Sequence, residues 1–458
     1  MAVTTGTRRG PRGSADRPSK GTSTGRASSG RGAGGAKQSA TKGARGSAER
    51  PWLGQWNSTV TSYYLLVGAT GLLLVIGLVM VLSSSTVTSI AEGDSPFAAF
   101  LVQGRYALIG LPLMLVAARL PVRWYKRLAW PAMIVSLGML VAVLFAGKLV
   151  NGNRNWLVVG PLQFQPSELA KLGLAVWLGA VLGRKQHLLG SWGQAIVPGV
   201  LGLAAVLGLV MAGHDLGTAL ILALLGLGAY WVSGAPASLL AVGGVGAALL
   251  VGWAFILNQG SSDRLTRILA TYGAACDAAS ECYQSIHGLY GLATGGLFGV
   301  GLGASREKWK YLPEAHNDFI YSVIGEELGL LGTLLVLALF AVLGIAMARV
   351  VRRHEDPFVK ITTAAIGCWI VGQAFVNIGV VIGVLPVIGV PLPLVSAGGS
   401  ALVTTMLALG VVISFARSEP GAAEALAARR SVVKRSVAVL SRRGRRGTGR
   451  GRGDGAGR

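Results

Sequence analysis

The stretch Tyr311–Gly332, YLPEAHNDFIYSVIGEELGLLG, passes within a few residues from polar to apolar. Glu314, His316, Asn317 and Asp318 come first. Phe319 then opens an apolar run that reaches about Val351 and carries Glu326 and Glu327 near its start. A helix of that length, rising ~1.5 Å per residue, is long enough to cross the ~30 Å hydrocarbon core of a bilayer. Asp318 then falls at a water–membrane boundary, with Glu326 and Glu327 about two turns inside it. Carboxylates at that depth are costly and mark function by default. Two readings of Asp318 stand side by side at this stage: an N-cap serving its own helix, and a carboxylate that does chemistry.

The rest of the chain supports a membrane setting. Of 458 residues, 52% are hydrophobic and only 13% charged, the composition of an all-α polytopic membrane protein and not of several soluble domains. A net charge of +23 suggests a nucleic-acid binder until it is located. Residues 1–50 hold eleven Lys/Arg against two acids and residues 417–458 hold twelve against three, so the tails carry most of the excess. Both tails are rich in Gly, Ser, Ala and Arg and poor in bulky apolar residues, which predicts disorder in 1–62 and 417–458. No nucleic-acid partner is expected; anionic lipid or cytoplasmic division proteins are the partners such tails suit.

The first apolar run, near Tyr63, reads as an uncleaved first span. Ten spans are expected in residues 63–416, near 63–82, 99–118, 128–147, 166–183, 194–212, 216–233, 236–258, 319–350, 359–384 and 399–416. With the N-terminus inside, the inner loops hold Arg119, Arg123, Lys126, Arg127, Arg184, Lys185, Arg349, Arg352 and Arg353, while the first outer loop holds Glu92 and Asp94. That distribution obeys the positive-inside rule and puts both termini in the cytoplasm. A large extracytoplasmic loop, 259–318, separates spans 7 and 8, and loops of that length are usually functional. Its Gly-rich centre, GLYGLATGGLFGVGLG, reads as a re-entrant or interfacial segment in which glycine permits close backbone packing. Cys276 and Cys282 lie in the same loop, where an oxidising compartment favours a local disulfide; free thiols, or a metal pair with His287, are the alternatives.

Several motifs now resemble one family. NGNRNWLVVGPLQFQPSELAKL, DLGTAL, QSIHGLYGLATGGLFGVGLG, KWKYLPEAHNDFIYSVIGEELGLLG and PLPLVSAGGSAL are similar, in order and spacing, to the SEDS family (shape, elongation, division, sporulation). Two of them, GPLQFQPSELAKL and YLPEAHNDFI, look more like its division member than its elongation member. The resemblance covers most of Tyr63 to Arg417 and leaves the tails out. It implies a peptidoglycan glycosyltransferase of the cytoplasmic membrane, at the septum, that polymerises lipid II on the outer face. It also implies a class B penicillin-binding protein as partner. The family's essential aspartate falls on Asp318, its Glu–Lys pair on Glu168 and Lys171, and the aspartate of its PDLG motif on Asp215. His214 stands where the family has proline, Asn317 where it often has threonine, and Ala397 where it has tyrosine.

The implied reaction joins a sugar 4-hydroxyl to an anomeric carbon and releases a lipid pyrophosphate. It needs a base at the hydroxyl, for which Asp318 is placed, and cations at the leaving group, for which Arg154 and Arg264 lead. Glu168 and Lys171 share a helix face and suit either a structural bridge or a cavity floor. Asp215 suits a helix cap or a polar contact to substrate. Glu326, eight residues after Asp318, projects nearer the Asp318 face than Glu327 does and joins the candidates. No cofactor is assigned; a divalent cation, magnesium or manganese, shared by Asp318 and the pyrophosphate is left open. A lipid II flippase and a division scaffold are the competing classes.

Overall fold

A computed structural model describes residues 60–91, 93–150, 153–160, 162–257, 283–309, 311–422 and 424–426. Arg264, Cys276, Cys282 and most of both basic tails lie outside the described residues. Helices occupy all ten apolar stretches: α1 (Thr61–Ala91), α2 (Ala98–Ala117), α3 (Val122–Ala146), α4 (Pro166–Arg184), α5 (Trp192–Ala212) and α6 (Leu216–Ser233) come first. After α7 (Ala237–Leu257) comes the shorter α8 (Tyr283–Gly295), then α9 (Ile320–Arg353), α10 (Pro357–Val381) and α11 (Gly399–Arg417). Eight of them are long and apolar enough to cross a membrane by themselves, and the chain is a polytopic helical membrane protein. To the helical expectation the structure adds a small antiparallel sheet, β1 (Lys148–Val150), β2 (Asn153–Val159) and β3 (Leu162–Phe164), paired Lys148↔Trp156 and Leu157↔Phe164.

Because hydrocarbon surrounds the bundle, the outward faces are as apolar as the core: Leu108, Phe145 and Trp231 are all more than 70% exposed. The interior is fixed by α10, which packs on α4, α6 and α9 and buries Trp369 completely; α11 lies against α2, and α1 against α9. Polar ties collect the basic turns on one face. Lys126 pairs with Asp356 at 2.6 Å across the α3 start and α10 start, and Arg417 donates to the Ala118 carbonyl.

The long helix α9 is not continuous. Gly329, at φ 68° and ψ −165°, breaks it, a conformation only glycine adopts without strain. The Gly-rich segment after α8 fills the break. Val300 and Gly301 N–H groups donate to the Glu326 and Glu327 carbonyls, while the Gly296 and Leu297 carbonyls accept from Leu330 and Leu331. Backbone groups freed by the break are thus re-satisfied, as an apolar surrounding demands. A Cβ on Gly329 would come within 2.4 Å of Gly299 N, so the two segments touch through bare backbone. The close backbone packing expected of this Gly-rich segment is present. The 24 residues from Leu330 to Arg353 alone span about 36 Å, enough to cross the bilayer.

Candidate functional site

On the face opposite the basic turns, a cavity of about 920 Å³ opens among the first turns of α2, the β2–β3 region, the start of α6, residues 314–318 and the 386–401 loop. Its walls are joined by long-range polar contacts. Tyr106 donates to the Gln163 carbonyl and accepts from the Gln163 N–H, fixing the sheet to α2. Gln103 donates to the Ser396 carbonyl at 3.1 Å and accepts from Gly398 N–H at 3.2 Å.

Asp318 lines this cavity, half-buried. Its position is set through the backbone: Asn377 Nδ2 donates to the Asp318 carbonyl at 2.7 Å, Ser396 Oγ to the Asn317 carbonyl at 2.6 Å, and Ala397 N–H to the His316 carbonyl at 3.0 Å. The carboxylate is not a cap. Helix α9 begins at Ile320, with Phe319 in the cap position and no side-chain capping bond. Among the described residues nothing donates a hydrogen bond to the Asp318 carboxylate; it lies beside Gly389, whose added Cβ would sit 3.6 Å from Oδ2. Burial without a compensating donor pushes its pKa up to about 7, and the neighbouring Glu314 charge adds to the rise. Such a carboxyl exchanges a proton near neutral pH.

Asp215 is both a cap and a cavity residue. Its Oδ1 accepts from Thr218 N–H at 2.9 Å, and its Oδ2 accepts from Thr218 Oγ1 at 2.8 Å and from Gln165 Nε2 at 2.9 Å. The preceding His214 sits at φ 62°, a value closed to proline, so the departure from the family's PDLG has a backbone counterpart. Glu168 and Lys171 are buried and paired at 2.8 Å, off the cavity itself. Lys171 also reaches Gln373 Oε1 at 3.3 Å and stands 5.0 Å from the Trp369 ring centre; Gln373 in turn donates to the Pro391 carbonyl, in the cavity wall. The pair is thus joined to the cavity wall through Gln373.

Two candidates fall elsewhere. Arg154 is exposed on β2, next to the cavity residues Asn155 and Trp156 but not itself in the wall. Glu326 does not reach the Asp318 cavity: Asp318 lies outside the helix that carries Glu326, which begins only at Ile320, and the Glu326 carboxylate accepts from Ser305 Oγ and from the Arg306 N–H at 2.8 Å. Arg105 of α2, which lines the cavity, was not anticipated. A lone arginine inside an apolar helix was the available signal. Among the described residues no group of three or more His, Cys, Asp or Glu side chains is arranged to hold a metal ion.

Comparison with known proteins places this architecture. The family model described as cell cycle protein, covering FtsW, RodA and SpoVE, matches residues 64–420. The chain is 38% identical over 381 residues to the "Probable peptidoglycan glycosyltransferase FtsW" of Mycobacterium tuberculosis, covering 83% of this chain and 72% of that one. It is 34% identical to the protein of the same description in Geobacter sulfurreducens, covering 76% and 92%. Among solved structures it is similar to a chain from "Structural coordination of polymerization and crosslinking by a peptidoglycan synthase complex", with TM-score 0.63, 29% identity and coverage of 77% and 96%. The rod shape determining protein RodA of Thermus thermophilus matches with TM-score 0.58, 28% identity and coverage of 78% and 97%. This chain belongs to the FtsW/RodA/SpoVE family of cell cycle proteins.

Proposed function

We propose that this chain is a peptidoglycan glycosyltransferase that polymerises lipid II at the outer face of the cytoplasmic membrane, with Asp318 as general base. The observation that carries the reading is the Asp318 carboxylate: free of any capping duty, titrating near pH 7, and set in the wall of a large cavity at one end of the membrane helices. In the reaction, the 4-hydroxyl oxygen of the acceptor sugar attacks the donor's anomeric carbon. Asp318 takes the hydroxyl proton, and the C–O bond to the lipid pyrophosphate breaks with inversion. A base whose pKa lies near the working pH is the most effective for that transfer. Arg105, in the same cavity wall, is placed to meet pyrophosphate oxygens, while Asp215 and Gln165 offer polar contacts to sugar. Glu168 and Lys171 hold the wall in shape.

Relatives described as FtsW and a neighbour from a synthase complex support a class B penicillin-binding protein as the partner that crosslinks the product, and a septal location. The basic turns between Arg119 and Arg127 and between Arg349 and Arg353 face the cytoplasm in this reading, as do both termini. The test is direct. Purified protein with its cognate penicillin-binding partner is incubated with labelled lipid II, and the products are resolved by length. A ladder supports the reading; no ladder from a folded, partner-bound preparation overturns it and turns attention to lipid II transport.

A further inference from the structure

The break at Gly329 leaves residues 320–328 as a separate outer half-helix, whose direction is set by whatever grips its end. Glu327 is that grip. Its two carboxylate oxygens each accept from Ser83 Oγ of α1 at 2.7 Å, and Oε1 also takes Lys308 Nζ at 3.0 Å. Lys308 Nζ further donates to the Gly303 carbonyl at 2.6 Å and lies 3.4 Å from Ser83 Oγ. Lys308 is 4% exposed and Glu327 1%, and neither lines the cavity. The ion pair therefore joins the two ends of the segment 308–327, and Asp318 lies midway along it.

We infer that Lys308, Glu327 and Ser83 are positioning residues: a buried clamp closes the 308–327 segment at its base and ties it to α1, so the place of Asp318 in the cavity is set from the first span. This rests on the reading of Asp318 as the general base. A buried charge that loses one partner keeps its desolvation cost, so the clamp holds one geometry and not a range of them. The backbone ties at His316, Asn317 and Asp318 fix the tip of the segment, and the clamp fixes its base.

Ser83→Ala tests this with the ion pair left in place; Lys308→Arg is the conservative control. Two readouts are needed, kcat and KM with lipid II, and amide hydrogen exchange along α9 and the segment before it. For Ser83→Ala the expectation is a kcat about tenfold lower, the worth of one hydrogen bond to a charged group, with KM within about twofold. Exchange at 311–319 rises while that at 336–350 stays as in the wild type, and Lys308→Arg stays close to wild type in both. Unchanged exchange at 311–319 overturns the clamp. So does a loss of kcat that follows a general rise in exchange through 336–350, which marks simple destabilisation. A wild type that makes no glycan while Ser83→Ala still loosens 311–319 alone overturns the proposed reaction and supports the clamp.

Discussion

Replacing Asp318 by asparagine removes a carboxylate that makes no capping bond and receives no hydrogen bond among the described residues, so the fold has little to lose. The proton it carries is what changes. With a pKa of about 7, roughly a tenth of the wild-type protein has this group ionised at pH 6 and roughly nine-tenths at pH 8. A base must be ionised to act, so the initial polymerisation rate should climb about ninefold across that interval, with a midpoint near 7. An ordinary aspartate would give a flat profile over the same range. Asp318→Asn should lose about 10²- to 10⁴-fold at every pH, with partner binding intact. Stability moves the other way. The folded-state pKa lies above the unfolded one, so the stability linked to this proton is fully present below about pH 4 and is lost as pH rises through about 7. The wild type should therefore melt lower at pH 8 than at pH 5, and the asparagine variant should lack that part of the fall. Gel-resolved rates at five pH values and detergent melts of both proteins make the measurement. A flat wild-type rate between pH 6 and 8, together with an asparagine variant retaining more than about a third of it, refutes the base assignment.

Three further outcomes are expected. Lys171→Met leaves Glu168 buried without its cation and should cost about 3–5 kcal/mol, while the double variant Lys171→Met with Glu168→Met should recover most of the loss; equal melting of single and double variants contradicts the pairing. Asp215→Ala should lower stability by about 1–2 kcal/mol through the lost Thr218 cap, and Asp215→Asn by much less, as read by thermal melts. Gly329→Ala should abolish accumulation of folded protein, because the new Cβ meets Gly299 backbone in a conformation that L-residues avoid. Gly344→Ala on the same helix, with its nearest neighbour 3.6 Å away, should express normally.

How much of this was readable beforehand differs by residue. The helices follow from long apolar runs, which need only be counted, and Asp318 stood out because polar residues run straight into one of them. Its capping role did not survive, because the chain enters α9 two residues later, with Phe319 in the cap position. The Glu326 assignment assumed an unbroken 3.6-residue repeat. The repeat begins only at Ile320, so it does not carry back to Asp318; the break at Gly329 was equally hidden, since the partner that fills it, Gly296–Gly301, is distant enough that no local pattern discloses it. Arg105 was hidden inside a span counted only for its hydropathy. The sheet at Lys148–Phe164 was missed although the aromatic and β-branched run Trp156–Val159, closed by Gly160 and Pro161, was there to see.

The ties that hold the Asp318 segment come from much later in the chain: Asn377 is 59 residues beyond Asp318, and Ser396 is 79 beyond Asn317. A ribosome feeding this protein into a membrane delivers Asp318 well before the residues that tie its segment in place. The growing chain is then inert through most of its synthesis, and competence arrives in one step when the last loop and α11 dock. A message cut short before that point would yield an inserted protein that keeps Asp318 and Asp215 yet has no cavity wall opposite them. Termination anywhere before the end of α11 should therefore be as damaging as termination at the start.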